Sequence, residues 1–424
     1  MNYDEAVAWL YSTQEVGIKL GLESFRRVVE ALGLESWLAG EPPPGAAMRR
    51  RVIFHIAGTN GKGSVCALLD ALCREAGYRT GLFTSPHLIT YRERVRLDGV
   101  MIPETEVARL LHRIRSVTET KGLKPTFFEI TTALALLWFE EQEAEMVVLE
   151  TGLGGRLDAT NVVRPTVSVL TPISLDHHQY LGNTLEAVAG EKAGIIKHRR
   201  PVLSARQPKS AAKVIAEKSH IMAAPLAWAL EPVEEEVALA GSHQKLNASL
   251  ALAALGAAEV TLADEVVRAG LKRVSWPGRF QRIAKPGRPE WIIDGAHNEA
   301  AAERLVATWH EVFGEEKPVV ILGALADKKV EEICRKFAPL SPDFVVAPVR
   351  NHRSCTPKAL AAILLEVAPQ VNCTICETLE AALEWADAKA AAEGRRVLVT
   401  GSFFLVGQVL ALSEGTSLEE VSSQ

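Results

Sequence analysis

Short apolar runs alternate along the chain with longer stretches in which apolar positions recur every three or four residues. This alternation predicts a parallel α/β architecture. Arg51–Ala57 (RVIFHIA) is apolar at nearly every position, as expected of a strand buried on both faces. In Val65–Ala76 the residues Val65, Leu68, Leu69, Leu72 and Cys73 share one helical face. Met146–Glu150 and Val167–Thr171 read as further buried strands. A second series is predicted at Trp291–Asp294, Pro318–Leu322, Phe344–Ala347 and Val397–Thr400, with helical stretches between. Trp276–Gly287 (WPGRFQRIAKPG) is dense in Pro and Gly and lies between the two series, a natural boundary. Two α/β domains of unequal size are expected, 1–284 and 285–424, hinged near residue 285. Gly40–Gly45 (GEPPPG) is expected to be an exposed loop ahead of the first strand.

The length of 424 residues suits that division, because single cores stop growing near about 250–300 residues. A composition of 48% apolar and 23% charged residues is that of an ordinary globular protein, so no disordered or fibrous class is in play. The net charge of −5 provides no global basic field for nucleic acid. The N-terminus lacks a basic segment followed by an apolar core, and no apolar run reaches the roughly 18 residues of a membrane span. Of the cysteines, only Cys373 and Cys376 form a CxxC, without a partner pair for zinc. That pair sits in the alternating run Val371, Cys373, Ile375, which reads as a strand. The reducing cytoplasm is the expected compartment. No apolar interface signature is evident, so a monomer is expected.

Chemistry enters at Gly58-Thr59-Asn60-Gly61-Lys62-Gly63-Ser64, between the first strand and the first helix. Glycines let backbone N–H groups curl around an anion, and the helix N-terminus adds partial positive charge. Lys62 can reach the β/γ-phosphates of a nucleotide, and the Ser64 hydroxyl is placed for Mg²⁺. The usual Walker pattern is met imperfectly, because Ile56 stands where its first glycine belongs and Gly63 separates Lys62 from Ser64.

Those departures are informative, because GTNGKGS is the form this loop takes in Mur-type ligases. Further segments follow in order. They include Ser85-Pro86-His87-Leu88 with Arg92-Glu93-Arg94, Phe128-Glu129, and the run from Glu150 through Gly152-Leu153-Gly154-Gly155-Arg156-Leu157-Asp158-Ala159-Thr160-Asn161. Asp176-His177, Glu191-Lys192-Ala193-Gly194, His243-Gln244, Asn247-Ala248, Pro277-Gly278-Arg279 and Asp294-Gly295-Ala296-His297-Asn298 come next. Ala326-Asp327-Lys328-Lys329 and Thr400-Gly401-Ser402 are less specific. Together these resemble the folylpolyglutamate synthase/dihydrofolate synthase family, the folate branch of the Mur ligase superfamily.

The resemblance implies a P-loop-containing parallel-sheet ATPase domain followed by a smaller Rossmann-like α/β domain. It implies an ATP-dependent ligase that adds L-glutamate to tetrahydrofolate, and also to dihydropteroate, through an acyl phosphate. Positioning and charge neutralisation then carry the chemistry, without a protein nucleophile. Glu150 ends an apolar strand, where a carboxylate is seldom comfortable without a partner. With Ser64 and His177 it resembles the family's Mg²⁺ site. His178 adjoins His177, and the family pattern places the ligand directly after Asp176. Lys192 would be a surface charge on an ordinary helix, but in relatives it is carbamylated and supports a second magnesium. Asn247 resembles a contact near the adenine, and Arg279 one near the phosphates. Asp294 and His297 would meet ATP across the interdomain cleft, so that closure completes the site. Catalytic roles thus fall to Lys62, Glu150, His177, Lys192 and His297.

For substrate, Tyr91–Arg96 in extended form would place Arg92, Arg94 and Arg96 on one face, a ladder suited to several carboxylates. A solvated strand face balanced by Glu93 fits equally. Ser85, Pro86 and His87 belong to the loop that relatives use around folate. Phe128, with Phe127 and Glu129, suits contact with a pterin, although core packing suits both phenylalanines as well. A peptidoglycan-precursor ligase is the alternative within the superfamily, disfavoured because only about 50 residues precede the phosphate loop. A nucleotide-binding switch gives no reason for a second domain with its own DGAHN. A potassium requirement is left open.

Overall fold

The computed structural model describes residues 1–16, 21–39, 51–176, 178–284 and 286–419. The loop expected at Gly40–Gly45, His177 and Lys285, where a hinge is expected nearby, therefore lie outside the described residues.

The first sheet contains β1 (Val52–Ala57), β2 (Thr80–Phe83), β3 (Val95–Leu97), β4 (Val100–Met101), β5 (Met146–Glu150), β6 (Val167–Leu170), β7 (Val202–Ala205) and β8 (Leu226–Ala229). Their spatial order is β4-β3-β2-β5-β1-β6-β7-β8. All neighbours from β2 to β8 pair in parallel, and β3 and β4 add an antiparallel hairpin at one edge. The chain leaves β1 toward β2 on one side and later returns as β6 on the other. A crevice opens at such a switch point, beyond the carboxyl ends of the strands. The register sets Ile56 of β1 beside Glu150 of β5, so the carboxylate emerges next to the phosphate loop.

The second sheet contains β9 (Gln281–Ile283), β10 (Trp291–Ile293), β11 (Val319–Leu322), β12 (Asp343–Val346), β13 (Asn372–Ile375) and β14 (Val397–Thr400). Its order is β13-β12-β11-β14-β10-β9, parallel except for the antiparallel edge strand β9. Because β9 pairs with β10, this sheet begins ahead of residue 285. The three residues of β9 are too short and too polar to register as an apolar run.

Helices cover both sheets. The helix Lys62–Glu75 buries Val65, Leu68, Leu69, Leu72 and Cys73, and also Cys66, Ala67 and Ala71. It is covered all round because the helices Ser242–Ala257 and Asp264–Arg273 pack on its outer side. Its Asp70 is held there by Arg74 at 2.8 Å. Among the described residues, no helix is long and apolar enough to cross a membrane.

The extended form that would align Arg92, Arg94 and Arg96 is not the one adopted. Tyr91–Arg94 form a turn of 3₁₀-helix and only Val95–Leu97 are extended. Thr90 and Glu93 close a capping box that favours the turn. The arginines consequently diverge instead of forming a ladder.

Candidate active site

The two sheets face each other across a cleft of about 990 Å³, lined by loops from the carboxyl ends of strands in both. The phosphate loop forms its floor. Gly58 has φ +152°, and a Cβ there would lie 1.8 Å from Thr171 Oγ1, so only glycine fits. The N–H groups of Thr59 and Asn60 donate to Pro172 O at 3.0 and 3.2 Å, which fixes the loop against the segment after β6. Gly61 caps the helix without a side-chain bond, leaving the first-turn N–H groups facing the cleft. Ser64 is buried, with its Oγ 3.3 Å from Gln244 Nε2, and Gln244 Oε1 accepts from Asn247 Nδ2 at 2.9 Å.

Glu150 is 4% exposed, and its Oε2 accepts one hydrogen bond, from Ser85 N at 3.1 Å. Burial raises its pKa, opposed chiefly by the positive charge of Lys62, then by the Ser85 amide and Arg279. Lys192 is equally buried and donates to Gly58 O at 2.8 Å. Burial, reinforced by repulsion from Lys62, pushes its pKa down from 10.5 to about 7. An amine so placed has a substantial neutral fraction near neutral pH, where an ordinary lysine has almost none.

Asp158 organises the Gly-rich loop after β5. Its Oδ2 accepts from Gly152 N and Leu153 N, both at 2.9 Å, and its Oδ1 takes Thr160 N at 3.0 Å. Around it, Leu22, Phe128, Leu153, Leu157 and Leu181 give one end of the cleft an apolar lining, with Thr126 among them.

The second domain closes the site. Arg279 lies with its guanidinium 4.5 Å from the Phe403 ring, and Asp294 is its main opposite charge. The Asp294 oxygens take Phe280 N and Ala296 N at 2.8 and 2.9 Å, so this carboxylate also builds the turn. His297 Nδ1 is 2.8 Å from Gly295 O, and its ring centroid is 4.8 Å from that of Phe403. Burial and then Lys328 lower the His297 pKa to about 4, keeping the imidazole neutral. Asn298 and Asn60 exchange amide hydrogen bonds at 3.1 and 3.3 Å, and Lys328 Nζ reaches Asp176 Oδ1 at 2.7 Å. These polar contacts tie the phosphate-loop side directly to the second domain.

Of the residues singled out from sequence, Gly58 to Ser64, Ser85, Pro86, Phe128, Glu150, Lys192, Asn247, Arg279, Asp294 and His297 line this cleft. Others are elsewhere. Arg94 is fully buried, donating from Nε to His87 Nδ1 at 2.8 Å, with its guanidinium 5.3 Å from the Phe127 ring. Arg92 is bound to Ile102 O at 2.8 Å and to Glu104 at 3.1 Å. Neither arginine nor His87 lines the cleft. His352 and Arg353, unmarked by any motif, do line it. Their one legible signal was position, in a polar NHRS stretch shortly after a predicted parallel strand.

Glu150 and Ser64 are hard oxygen donors open to one cleft, a set that fits a divalent cation shared with phosphates and water. Among the described residues no three His, Cys, Asp or Glu side chains cluster as a metal cage, and His177 lies outside them.

The description "Mur ligase middle domain" matches residues 56–220, and "Mur ligase, glutamate ligase domain" matches residues 278–403. The dihydrofolate synthase/folylpolyglutamate synthase of Bacillus subtilis is 32% identical over 96% of this chain and 98% of its own length. Mycobacterium tuberculosis folylpolyglutamate synthase, solved with ADP and AMPPCP, superposes with a TM-score of 0.87 at 28% identity, covering 99% of this chain and 100% of that one. The bifunctional folylpolyglutamate synthase/dihydrofolate synthase of Yersinia pestis, complexed with AMPPNP and Mn ion, gives a TM-score of 0.85 at 32% identity, covering 98% of each chain.

Proposed function

The chain belongs to the dihydrofolate synthase/folylpolyglutamate synthase family of Mur-type ligases, and from this we propose that its interdomain cleft brings together ATP, a folate-type acceptor and L-glutamate. The enzyme is an ATP-dependent ligase that adds glutamate to folate. One observation carries the assignment of the site. Ser64, Glu150 and Lys192 from the side of the first sheet, and Arg279 and Lys328 from the side of the second, converge on a single cleft.

Charge and shape favour one occupant for each part. The open N–H groups after Gly61, with Lys62, suit the nucleotide phosphates, and Asn247 lies next along the wall. A divalent cation bound with the triphosphate would neutralise charge during phosphoryl transfer, and Glu150 and Ser64 would hold it. The apolar end around Phe128, with Thr126 and Asp158 as polar groups, suits a flat heteroaromatic ring. On the second-domain wall, Arg353, His352, Lys328 and Ser402 suit the two carboxylates of glutamate.

With reactants so held, the γ-phosphoryl passes to the acceptor carboxylate and ADP departs. The glutamate amine then attacks the acyl phosphate, and phosphate leaves as the amide forms. The chain's part is to align the three reactants and exclude water. The neutral amine of Lys192 is competent to add carbon dioxide, giving a carbamate and a released proton, which would turn a cation into an anion beside the phosphates. A second cation would be supported by that anion. Arg92 and Arg94 are held outside this cleft, the first by Ile102 O and Glu104 and the second beside His87. Both cleft walls come from one chain, which favours the monomer as the working unit.

Because ATP machinery is common to both acceptors, we extend the reading to dihydropteroate as well as tetrahydrofolate. The acyl phosphate is tested by labelling the acceptor carboxylate with heavy oxygen. One label should appear in the released phosphate, and unlabelled phosphate would exclude the intermediate.

A further inference from the structure

After the helix Phe403–Glu414 the chain turns back onto the first domain. Glu419 N donates to Ile89 O at 2.9 Å. Its carboxylate accepts from Tyr91 N at 2.8 Å, from Thr90 Oγ1 at 2.9 Å and from the Tyr3 hydroxyl at 3.1 Å. The backbone gripped in this way runs on directly from Ser85 and Pro86, which line the cleft.

Residues 85–91 are held by carboxylates from separate parts of the chain. Glu150 accepts from Ser85 N. Glu93 accepts from Leu88 N, Ile89 N and Thr90 N at 2.8–2.9 Å. Glu419 takes Tyr91 N. Charged acceptors make hydrogen bonds roughly twice as strong as neutral ones, so this is a firm suspension. The same segment is packed into the other domain. Leu88 and Ile89 join the apolar cluster of Ile293, Val399, Leu405 and Val406. At Gly407 a Cβ would come within 2.1 Å of Leu88 O, so that helix lies directly on the segment. One end of the segment thus touches Glu150 and the other is fixed by Glu419.

We propose that Glu419 is a positioning residue for ligation. By clamping Ile89–Tyr91 to the second domain, it holds the Ser85 amide against Glu150, so the acceptor side of the cleft forms only when that domain is seated. Glu419 touches no reacting atom and acts through the segment. The kinetic part of the test rests on the proposed function, and the exchange part does not.

Amide hydrogen exchange and steady-state kinetics would be measured on the full chain for wild type, Glu419→Ala and Glu419→Gln. In Glu419→Ala, exchange should quicken about tenfold at Tyr91 and also at Ser85, while the helix Lys62–Glu75 stays unchanged. KM for tetrahydrofolate should rise about tenfold, and KM for ATP, reached only through Glu150, by clearly less. Glu419→Gln, which keeps the shape and one acceptor, should fall between. Gly407→Ala, which pushes on Leu88 from the opposite side, should reproduce the pattern. Faster exchange confined to Tyr91 would overturn the proposal, as would parallel rises in both KM values. Should the alanine variant not fold, the glutamine variant decides by the same readouts. Loss of ligation in the wild type would leave the exchange result standing.

Discussion

Asp176 and Lys328 form an ion pair 2.7 Å long across the cleft, with side chains only 8% and 9% exposed. One comes from the segment after β6 and the other from the loop after β11. Asp176 also accepts from Asn298 Nδ2 at 3.1 Å, and its Oδ2 is 3.8 Å from His297 Nε2. A single carboxylate therefore gathers the DGAHN turn and the ADKK loop onto the phosphate-loop side.

Breaking that pair should open the cleft. Removing one partner of a buried pair strands the other, at a cost of about 3–5 kcal/mol. Lys328→Met and Asp176→Asn should each lower kcat/KM on the order of 10²-fold. The double variant should lose less than the sum, and a double-mutant cycle measures the coupling. Additive losses would mean that the two residues act separately.

Glu150→Gln keeps the size and removes the charge. Ligation should fall on the order of 10²–10³-fold while far-UV circular dichroism and the melting temperature stay close to wild type. An unchanged rate at saturating Mg²⁺ would remove Glu150 from the metal site.

Lys192 gives a pH signature. Its pKa is about 7 in the folded chain against 10.5 ordinarily. Between those values the unfolded chain holds a proton that the folded site does not, so stability should rise with pH through that window. Below the folded pKa both states are protonated, and the cost of burying the charge is present in full. Lys192→Met should flatten the rise in denaturation midpoint between those pH values, whereas equal slopes would count against a depressed pKa. If the carbamate forms, added bicarbonate should raise wild-type activity, and the intact wild-type protein should gain the mass of one carbon dioxide.

Arg353 tests the proposed glutamate side of the cleft. It is anchored to Asp327 at 3.0 Å and is partly exposed. Arg353→Ala should raise KM for glutamate at least about tenfold, with KM for ATP changing little. An equal rise in both would assign Arg353 to the fold.

Much of this arrangement was legible in the residues because local rules decide it. β5 and β14 fall where apolar runs predicted Met146–Glu150 and Val397–Thr400. The phosphate loop is a local strand-glycine-helix unit, and Glu150 at a strand end is placed by register alone. The ladder that an extended Tyr91–Arg96 would make is absent because a capping box turns the chain at Tyr91–Arg94, which period-two reasoning does not see. Edge strands such as β3, β4 and β9 are too short to carry a pattern. Arg353 is unremarkable in sequence, and the motifs that contain Asp176 and Lys328 do not show that the two pair. Their roles depend on distant loops meeting, which no local periodicity encodes.

The central claim is that this cleft joins glutamate to folate acceptors at the expense of ATP. It is tested most directly by following phosphate release with glutamate and Mg²⁺, offering tetrahydrofolate and dihydropteroate separately and weighing the products. Release should occur with both acceptors, each product heavier by one glutamate residue. Release with tetrahydrofolate alone would contradict the extension to dihydropteroate, and release with neither would contradict the account itself.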